Sequence, residues 1–258
     1  MKSFTSWIRK REQLLLGTLG IILVIAVWQL ISDLRLINPF FISSPSQILK
    51  TAFNQTVNGD LLEDFWITVV EFVVAFALSV VLGITIGLLM GLFKRVEYTI
   101  DPFLWFLYST PVIALYPVLI IWLGLGFATV VTLGVLFTIT PIIINTFTGV
   151  TQTSPVLIKA AKSFGANRRQ ILFKIALPSA IPMIVTGLRI GVERTLVGVI
   201  VGELFSANAG LGFRISYYGA RLQVSSLFVA IVLVIILGLI LTQSLRLLEK
   251  RLLKWQEF

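Results

Sequence analysis

Six long apolar stretches constrain the fold of this chain more than any other feature. Each is about as long as the roughly 20 residues that an α-helix needs to cross the hydrocarbon core of a bilayer. Only 13% of the residues are charged, against about 25% in a typical soluble domain. We therefore predict an all-α integral membrane protein with six transmembrane helices. The predicted spans are Leu14–Ile31, Thr68–Phe93, Pro102–Leu123, Ala128–Val150, Ile181–Leu204 and Ser226–Leu245.

The distribution of Lys and Arg predicts the orientation of these spans. With the N-terminus inside, the inner segments hold 15 of the 21 basic residues, the outer segments hold 4, and 2 lie within a span. Because basic residues favour the cytoplasmic side, we expect both termini to be cytoplasmic. Basic residues precede the first span and no small-residue cleavage site follows it, so we expect an uncleaved signal anchor.

Several residue types that support chemistry are missing from the sequence. The chain has no Cys and no His, which excludes thiolate and imidazole metal sites and acid–base catalysis by histidine. No Gly-Lys dipeptide occurs, so the chain has no phosphate-binding loop of the P-loop class. We predict no catalytic residue, no metal site and no cofactor in this chain. The net charge of +9 does not indicate nucleic acid, because no groove of alternating aromatic and basic residues can be identified.

Two proline positions predict local structure between and within the spans. Ser44-Pro45 supplies a helix cap followed by a first-turn proline, so we expect a short helix at about Pro45–Phe53. Thr110-Pro111 and Pro117 interrupt the third span, where we expect a kink or a break. The backbone groups that such a break leaves unpaired are tolerated only against protein or a water-filled cavity.

The stretch 158–182, IKAAKSFGANRRQILFKIALPSAIP, contains five basic residues and no acidic one. Ser154-Pro155 predicts the start of a helix that runs to about Phe164. Gly165 is expected to end it, and Asn167 to cap a second helix. We expect Leu177-Pro178 to end that second helix, with the fifth span beginning near Pro182. The segment is either an amphipathic linker that obeys the positive-inside rule or a docking element for a soluble partner.

Five charged residues fall within or near the ends of apolar segments: Glu71, Arg189, Glu193, Arg194 and Glu203. Ionised groups inside a membrane are costly and usually face a cavity or a partner. Arg189 and Glu193 are four residues apart on one predicted helix, so they can pair; a structural pair and a role in a pathway both remain open. The candidate pathway residues are Ser109, Thr110, Pro111, Arg189, Glu193 and Arg194.

Glycines recur every four residues in two of the spans, at positions 83, 87 and 91 and at positions 187 and 191. Small residues at that spacing let helix backbones approach closely. We predict that these glycines lie at helix–helix contacts.

The stretch KAAKSFGANRRQILFKIALPSAIP resembles the conserved cytoplasmic loop of bacterial ABC importer permeases. That loop reads E-A-A, three residues, Gly, nine residues and then I-x-L-P. The stretches SPSQIL, PIIINT and GLRIGVERT and the Gly210-Leu211-Gly212 turn extend the resemblance to permeases of the nitrate/sulfonate/taurine importer group. The residues that match the loop are Ala160, Ala161, Gly165, Ile175, Leu177 and Pro178.

The resemblance implies the type I ABC importer permease fold in a bacterial inner membrane. It implies a homodimer, two cytosolic ATPase subunits that bind ATP and Mg, and an extracytoplasmic binding protein that delivers a small solute, of nitrate or sulfonate type. One position departs from the pattern, because Lys159 stands where the family carries an acid; this implies a compensating acidic surface on the ATPase. The implied ATPase-coupling residues are Lys159, Ala160, Ala161, Phe164, Gly165, Leu177 and Pro178.

The expected organisation has three parts. Residues 1–60 form a cytosolic tail, the first span and an outer loop with a short helix. Residues 61–250 form the permease domain, including the coupling region 154–178, and residues 251–258 form a cytosolic tail. The alternative function is a self-sufficient channel or ion-coupled carrier in which Glu71, Arg189 and Glu193 relay ions. No internal repeat of the kind found in such carriers is evident.

Overall fold

The described part of the chain, in a computed structural model that covers residues 2–38, 40–57 and 60–252, is helical and contains no strand. Most of the predicted C-terminal tail, residues 253–258, lies outside the described residues. The helices are α1 (Lys2–Asp33), α2 (Pro45–Val57), α3 (Asp60–Leu92), α4 (Lys94–Ser109), α5 (Tyr116–Leu123), α6 (Phe127–Thr151), α7 (Pro155–Ser163), α8 (Arg168–Ile171), α9 (Leu177–Ser206), α10 (Leu211–Ala220) and α11 (Val224–Leu252).

Helices α1, α3, α6, α9 and α11 are each long and apolar enough to cross a membrane. The predicted third span consists of α4 and α5, which meet at an angle of 92° across Thr110-Pro111 and a short 3-10 turn, Val112–Leu115. The expected break in this span is confirmed. Its cause is Pro111, which has no N–H to donate and disfavours helical backbone at Thr110.

The short helix predicted after Ser44 is present as α2 and extends beyond the predicted end. The Ser44 hydroxyl accepts a hydrogen bond from the Gln47 N–H at 3.2 Å, as expected of an N-cap. Helix α2 connects α1 to the rest of the protein: the Gln29 carboxamide accepts from the Ser46 N–H at 3.1 Å. Trp28 also packs against Phe228 of α11, but most other described apolar residues of α1 are exposed, so this helix lies at the periphery.

Helix α6 lies at the centre of the bundle, between α3 and α9. Half of its apolar stretch is buried inside the protein, whereas none of the corresponding stretch of α1 is buried. A helix that is apolar on all sides is expected in such a central position. Three small clusters of buried side chains, centred on Val130, Ile143 and Val150, form the core along α6.

The glycines of α3 lie directly against α6, which confirms the predicted packing role. The pairs are Gly83 with Ile142, Gly87 with Thr146 and Gly91 with Val150. A Cβ atom added at any of the three would come within 2.7 Å of its partner's side chain. Glycine is therefore needed here for close approach of two backbones.

Helix α9 packs against the other side of α6 in the same way. A Cβ atom at Gly187 would lie 2.9 Å from Asn145 Cβ, and one at Gly202 would lie 2.9 Å from Val130 Cα. Between them, Thr138 and Thr195 share a buried hydrogen bond of 2.8 Å. Helices α3, α6 and α9 thus form a closely packed layer that positions the two regions described next.

Candidate functional site

The coupling segment, residues 154–178, begins as predicted with a short helix. Helix α7 starts at Pro155, although the Ser154 hydroxyl forms no capping hydrogen bond. Gly165 adopts a φ of +79°, the left-handed conformation expected of a glycine terminator. The Gly165 N–H donates to Lys162 O at 2.9 Å and the Ala166 N–H donates to Ala161 O at 3.0 Å. These two bonds form a Schellman motif, which fixes the direction in which the chain leaves α7.

The next helix is capped by the predicted residue. The Gln170 N–H donates to Asn167 Oδ1 at 2.8 Å, and the Asn167 N–H donates to Gln170 Oε1, also at 2.8 Å. This reciprocal pair is a capping box. The Schellman motif and the capping box follow one another directly, so the N–H groups of Gly165, Ala166, Asn167 and Gln170 are all satisfied locally. The turn is therefore a rigid connection.

The end of this second helix differs from the prediction. Leu177-Pro178 does not end it, and the fifth span does not begin near Pro182: α8 continues through a π-helical turn, Leu172–Ala176, into α9. The Leu177 N–H donates to Leu172 O, five residues back. A wider turn relieves the clash between a proline ring and the carbonyl four residues earlier. Pro178 is accommodated in the first turn of α9, and the helical segment from α8 to α9 is not broken there.

The coupling segment exposes a set of large apolar side chains. Val156, Phe164 and Phe173 are 73%, 91% and 63% exposed. Lys159 and Ala160 are exposed as well, while Leu177 and Pro178 are partly buried. An exposed apolar face rimmed by lysines is typical of a surface that binds a protein partner.

The second region is a cavity of about 650 Å³ at the break between α4 and α5. The broken segment forms one wall, and α6 and α9 form the others. Arg194 is the one charged residue among the described residues of the lining, and the remaining polar groups come from tyrosine, threonine and asparagine. The lining comprises Leu107, Tyr108, Thr110, Pro111, Val112, Ile113, Leu136, Phe137, Thr140, Pro141, Ile144, Asn145, Ile190 and Arg194.

Chemically, the cavity combines a cation with neutral hydrogen-bonding groups in an otherwise apolar wall. The Asn145 carboxamide is held in place because its Nδ2 donates to Pro141 O at 2.8 Å. A guanidinium with nearby hydroxyl and amide groups suits a planar or tetrahedral oxyanion.

Three of the predicted pathway residues reach this cavity: Thr110, Pro111 and Arg194. Ser109, Arg189 and Glu193 are absent from its lining. Ser109 is the last residue of α4, next to the break.

Neither of the two roles left open for Arg189 and Glu193, an ion pair with each other or a place in the cavity lining, is found in the described structure. In the described structure Arg189 forms an ion pair with Glu249 on α11 instead. Glu249 lies on α11, a separate helix that packs against α9 and brings this carboxylate to the guanidinium. This pair joins α9 to α11, and it lies apart from the cavity.

Sequence reasoning missed Tyr108, Thr140 and Asn145 as cavity residues. Asn145 lies within PIIINT, a stretch whose resemblance was noted without a role. The proline of that stretch, in the middle of an apolar span and followed by a polar amide, is the signal that could have identified it.

The proposed ion relay is not assembled in the structure. Glu71 contacts Glu203, whereas Arg189 contacts Glu249. Ten residues of α9 separate Glu193 from Glu203, which corresponds to about 15 Å along the helix axis. The charged groups of the rival carrier mechanism therefore lie in separate places.

Comparison with known protein families decides the class of protein. The model of the family described as "Binding-protein-dependent transport system inner membrane component" matches residues 79–254. The chain belongs to this family. It is the permease subunit of an ABC importer, and this excludes the reading as a self-sufficient carrier.

Individual members of the family resemble this permease over nearly their full length. The taurine transport system permease protein of Escherichia coli K12 is 31% identical, over 95% of this chain and 90% of its own. A putative aliphatic sulfonates transport permease of Bacillus subtilis is also 31% identical, over 96% and 90%. A formylaminopyrimidine transport permease of Halalkalibacterium halodurans is 32% identical, over 96% and 99%.

Solved structures support the fold. Two crystal forms of a methionine ABC transporter in inward-facing conformations match with TM-scores of 0.66 and 0.68. The matches cover 74% and 76% of this chain and 95% and 98% of the other, at 20% and 19% identity. The permease therefore has the type I ABC importer fold, as predicted.

Proposed function

We propose that this permease carries a small oxyanion, of the sulfonate or nitrate type, through the cavity at the α4–α5 break. The observation that carries the proposal is the placement of Arg194 as the one charged lining residue among those described. Two of the similar permeases are named for taurine and for aliphatic sulfonates, which are anionic at the sulfonate group. The third is named for a pyrimidine, so the choice of solute rests on the cavity.

The proposal assigns the coupling segment to a cytosolic ATPase. Its exposed apolar side chains, with Phe164 at their tip, need a partner surface, and its rigid turn can transmit a displacement to α9. The ATPase binds ATP and Mg, and this chain supplies no catalytic group. An acidic surface on the ATPase accommodates Lys159.

We further propose that two copies of the permease enclose the pathway, each docking on one ATPase subunit. A binding protein delivers solute at the opposite face. Both termini are cytoplasmic, because 15 of the 21 basic residues then lie on the inner side.

The test is transport of sulfonates and nitrate by the assembled importer in proteoliposomes. Replacing Arg194 by Ala removes a charge-assisted contact of about 1.5–3 kcal/mol, so we expect a tenfold to hundredfold fall in kcat/KM for the anion. Arg194→Lys retains the charge and should recover part of this loss. Arg189→Ala is the matched control on the same helix; it should lower the melting temperature and leave the apparent affinity for the solute unchanged.

Transport of the anion by the permease alone, without the ATPase, would contradict the function. Equal kcat/KM in the wild type and in Arg194→Ala would contradict the role of the cavity.

A further inference from the structure

A buried polar cluster lies at the end of α9 opposite the coupling segment, and the transport mechanism above does not use it. The cluster surrounds the α9–α10 turn, residues 207–210, and the first turn of α10. Its members come from three helices, so it joins distant parts of the sequence. They are Asp64, Thr68 and Glu71 on α3, Glu203 on α9, and Arg214 on α10.

The last N–H group of the turn and the first two N–H groups of α10 are each bound by a side chain of this cluster. The Gly210 N–H donates to Asp64 Oδ1 at 2.7 Å. The Leu211 N–H donates to Thr68 Oγ1 at 2.9 Å, and the Gly212 N–H donates to Glu203 Oε2 at 2.6 Å. Acceptors from other helices thus replace the capping residue that α10 lacks, and negative charge at a helix N-terminus is favourable.

Glu203 is the most enclosed acid of the cluster, with 0% of its surface exposed. Both of its carboxyl oxygens already accept hydrogen bonds: Oε2 from Gly212, and Oε1 from the Thr68 hydroxyl at 2.6 Å. Each oxygen of Glu203 therefore already serves as an acceptor for a neighbouring donor.

Glu71 lies beside it with only 3% of its surface exposed. Glu71 follows Thr68 by one helical turn on α3, so its side chain meets that of Glu203, which Thr68 contacts, yet Glu71 Oε2 receives no hydrogen bond from any described group. Two buried carboxylates in contact repel each other strongly unless one of them carries a proton. A proton on Glu71 would turn this contact into a hydrogen bond to Glu203 and would satisfy the remaining oxygen.

Two other charged groups belong to the cluster beside this pair. Asp64 and Arg214 are the charged groups that face it from α3 and α10 among the described residues, and they form an ion pair with each other. The face of α6 next to this end of α9 contributes Thr129 and Val130, which carry no charge.

We propose that Glu71 and Glu203 bind one proton between them, and that this shared proton fastens the α9–α10 turn and the start of α10 to α3. The ligand of this site is therefore a proton, held by the folded chain and released on opening. Because free glutamates ionise near pH 4.3, the open form binds no proton at neutral pH. In the pH range where the closed form holds the shared proton and the open form holds none, each opening releases one proton. Opening therefore becomes about tenfold more favourable for each pH unit in that range.

The chain has no cysteine, so thiol labelling can measure this opening. Ser206 is 1% exposed and ends α9, next to the turn, and Ser206→Cys changes one atom of its side chain. Asn208 is exposed in the same turn, so Asn208→Cys reports the pH dependence of the labelling chemistry itself. The measured quantity is the ratio of the two labelling rates for the full-length permease in lipid nanodiscs between pH 6 and pH 9.

We expect the ratio to rise with pH in the wild-type background, by up to tenfold per unit. In Glu71→Gln the amide donates to Glu203 at every pH, so the ratio should stay constant. Glu63→Gln, at an exposed acid on the same helix, is the matched control and should behave like the wild type.

Two results would overturn the proposal. One is a ratio that is independent of pH in the wild type, a measurement that needs no substitution in the pair. The other is an equal pH dependence in Glu71→Gln and the wild type. Melting temperatures from the same pH series give a second readout: they should fall with pH in the wild type and remain level in Glu71→Gln. Neither readout depends on the transported solute.

Discussion

The two ends of helix α9 are built in opposite ways. At the coupling segment the helix begins in a π-helical turn, and large apolar side chains such as Phe164 lie in the open. At the α10 end, the N–H groups of Gly210, Leu211 and Gly212 each donate to a side chain, and Glu203 is fully enclosed. In the proposed function the first end is completed by another protein, whereas the second end has its hydrogen-bond partners within the chain. A displacement applied at the coupling segment therefore acts on helix α9, whose opposite end is held by hydrogen bonds to other helices.

The largest expected difference between the two ends concerns two glycines with positive φ. Gly210 has a φ of +102°, and a Cβ atom there would overlap the Glu203 carboxyl. Gly165 has a φ of +79° with no atom within 4 Å of an added Cβ. We expect Gly210→Val to yield no folded permease, because steric overlap adds to backbone strain. Gly165→Val bears only strain of about 1–2 kcal/mol and should remain folded.

Size-exclusion chromatography and melting curves test this pair of variants. In the assembled importer, Gly165→Val should hydrolyse ATP without transporting solute, since the Schellman turn is lost. Normal transport by Gly165→Val would show that the rigid turn is not required.

A somewhat smaller effect is expected from removing one acid at the fixed end. Glu203→Ala leaves the buried Gly212 N–H without its acceptor, at about 1–3 kcal/mol. Glu193→Ala, on the exposed side of the same helix, should stay within about 0.5 kcal/mol of the wild type. Melting temperatures in nanodiscs compare the two, and a similar shift in both would contradict the buried cluster.

At the open end, the expected effect is on binding and not on stability. Burying a phenylalanine against a partner contributes about 1.5–3 kcal/mol, so Phe164→Ala should weaken association with the ATPase by roughly ten- to hundredfold. Its melting temperature should not change, because the side chain is 91% exposed. Surface plasmon resonance with the purified ATPase measures the first quantity; undiminished affinity would remove Phe164 from the contact.

The smallest effect should come from the capping box. Asn167→Ala removes a cap and is expected to cost about 1 kcal/mol, confined to the start of α8. Hydrogen exchange should therefore be faster in residues 168–171 and unchanged in α10. Asn208→Ala, an exposed asparagine that receives no such bond in the described structure, is the control; faster exchange throughout the protein in Asn167→Ala would refute a local role.

Local features of the two ends were predictable from sequence. Gly165 and Asn167 act through hydrogen bonds within five residues of the chain, so residue type and spacing were sufficient. The same holds for the break at Thr110-Pro111. Pro178 was misjudged because a π-helical turn shifts the hydrogen-bond register, and residue identity does not reveal that shift.

Features that depend on distant contacts were not predictable. Arg189 had an acid at the right spacing on its own helix, yet Glu249 sits 60 residues away in sequence and lies closer in space. Glu203 and Asp64 meet the α9–α10 turn only after α3 and α9 have packed together. The cavity arises likewise from three separate segments, and of its lining residues the sequence indicated Thr110, Pro111 and Arg194.

The glycine contacts along α6 also fix the relative directions of the spans, and with them the number of membrane crossings between α3 and α6. Residue numbers rise together in the α3–α6 pairs, from Gly83 with Ile142 to Gly91 with Val150, so these two spans point the same way. Two spans that point the same way must be joined by an odd number of crossings. The bent segment of α4 and α5 is therefore a true crossing and not a loop that returns to its own side. In the α6–α9 pairs the numbers run oppositely, from Gly187 with Asn145 to Gly202 with Val130, which keeps the whole of α7 on the face where α3 ends.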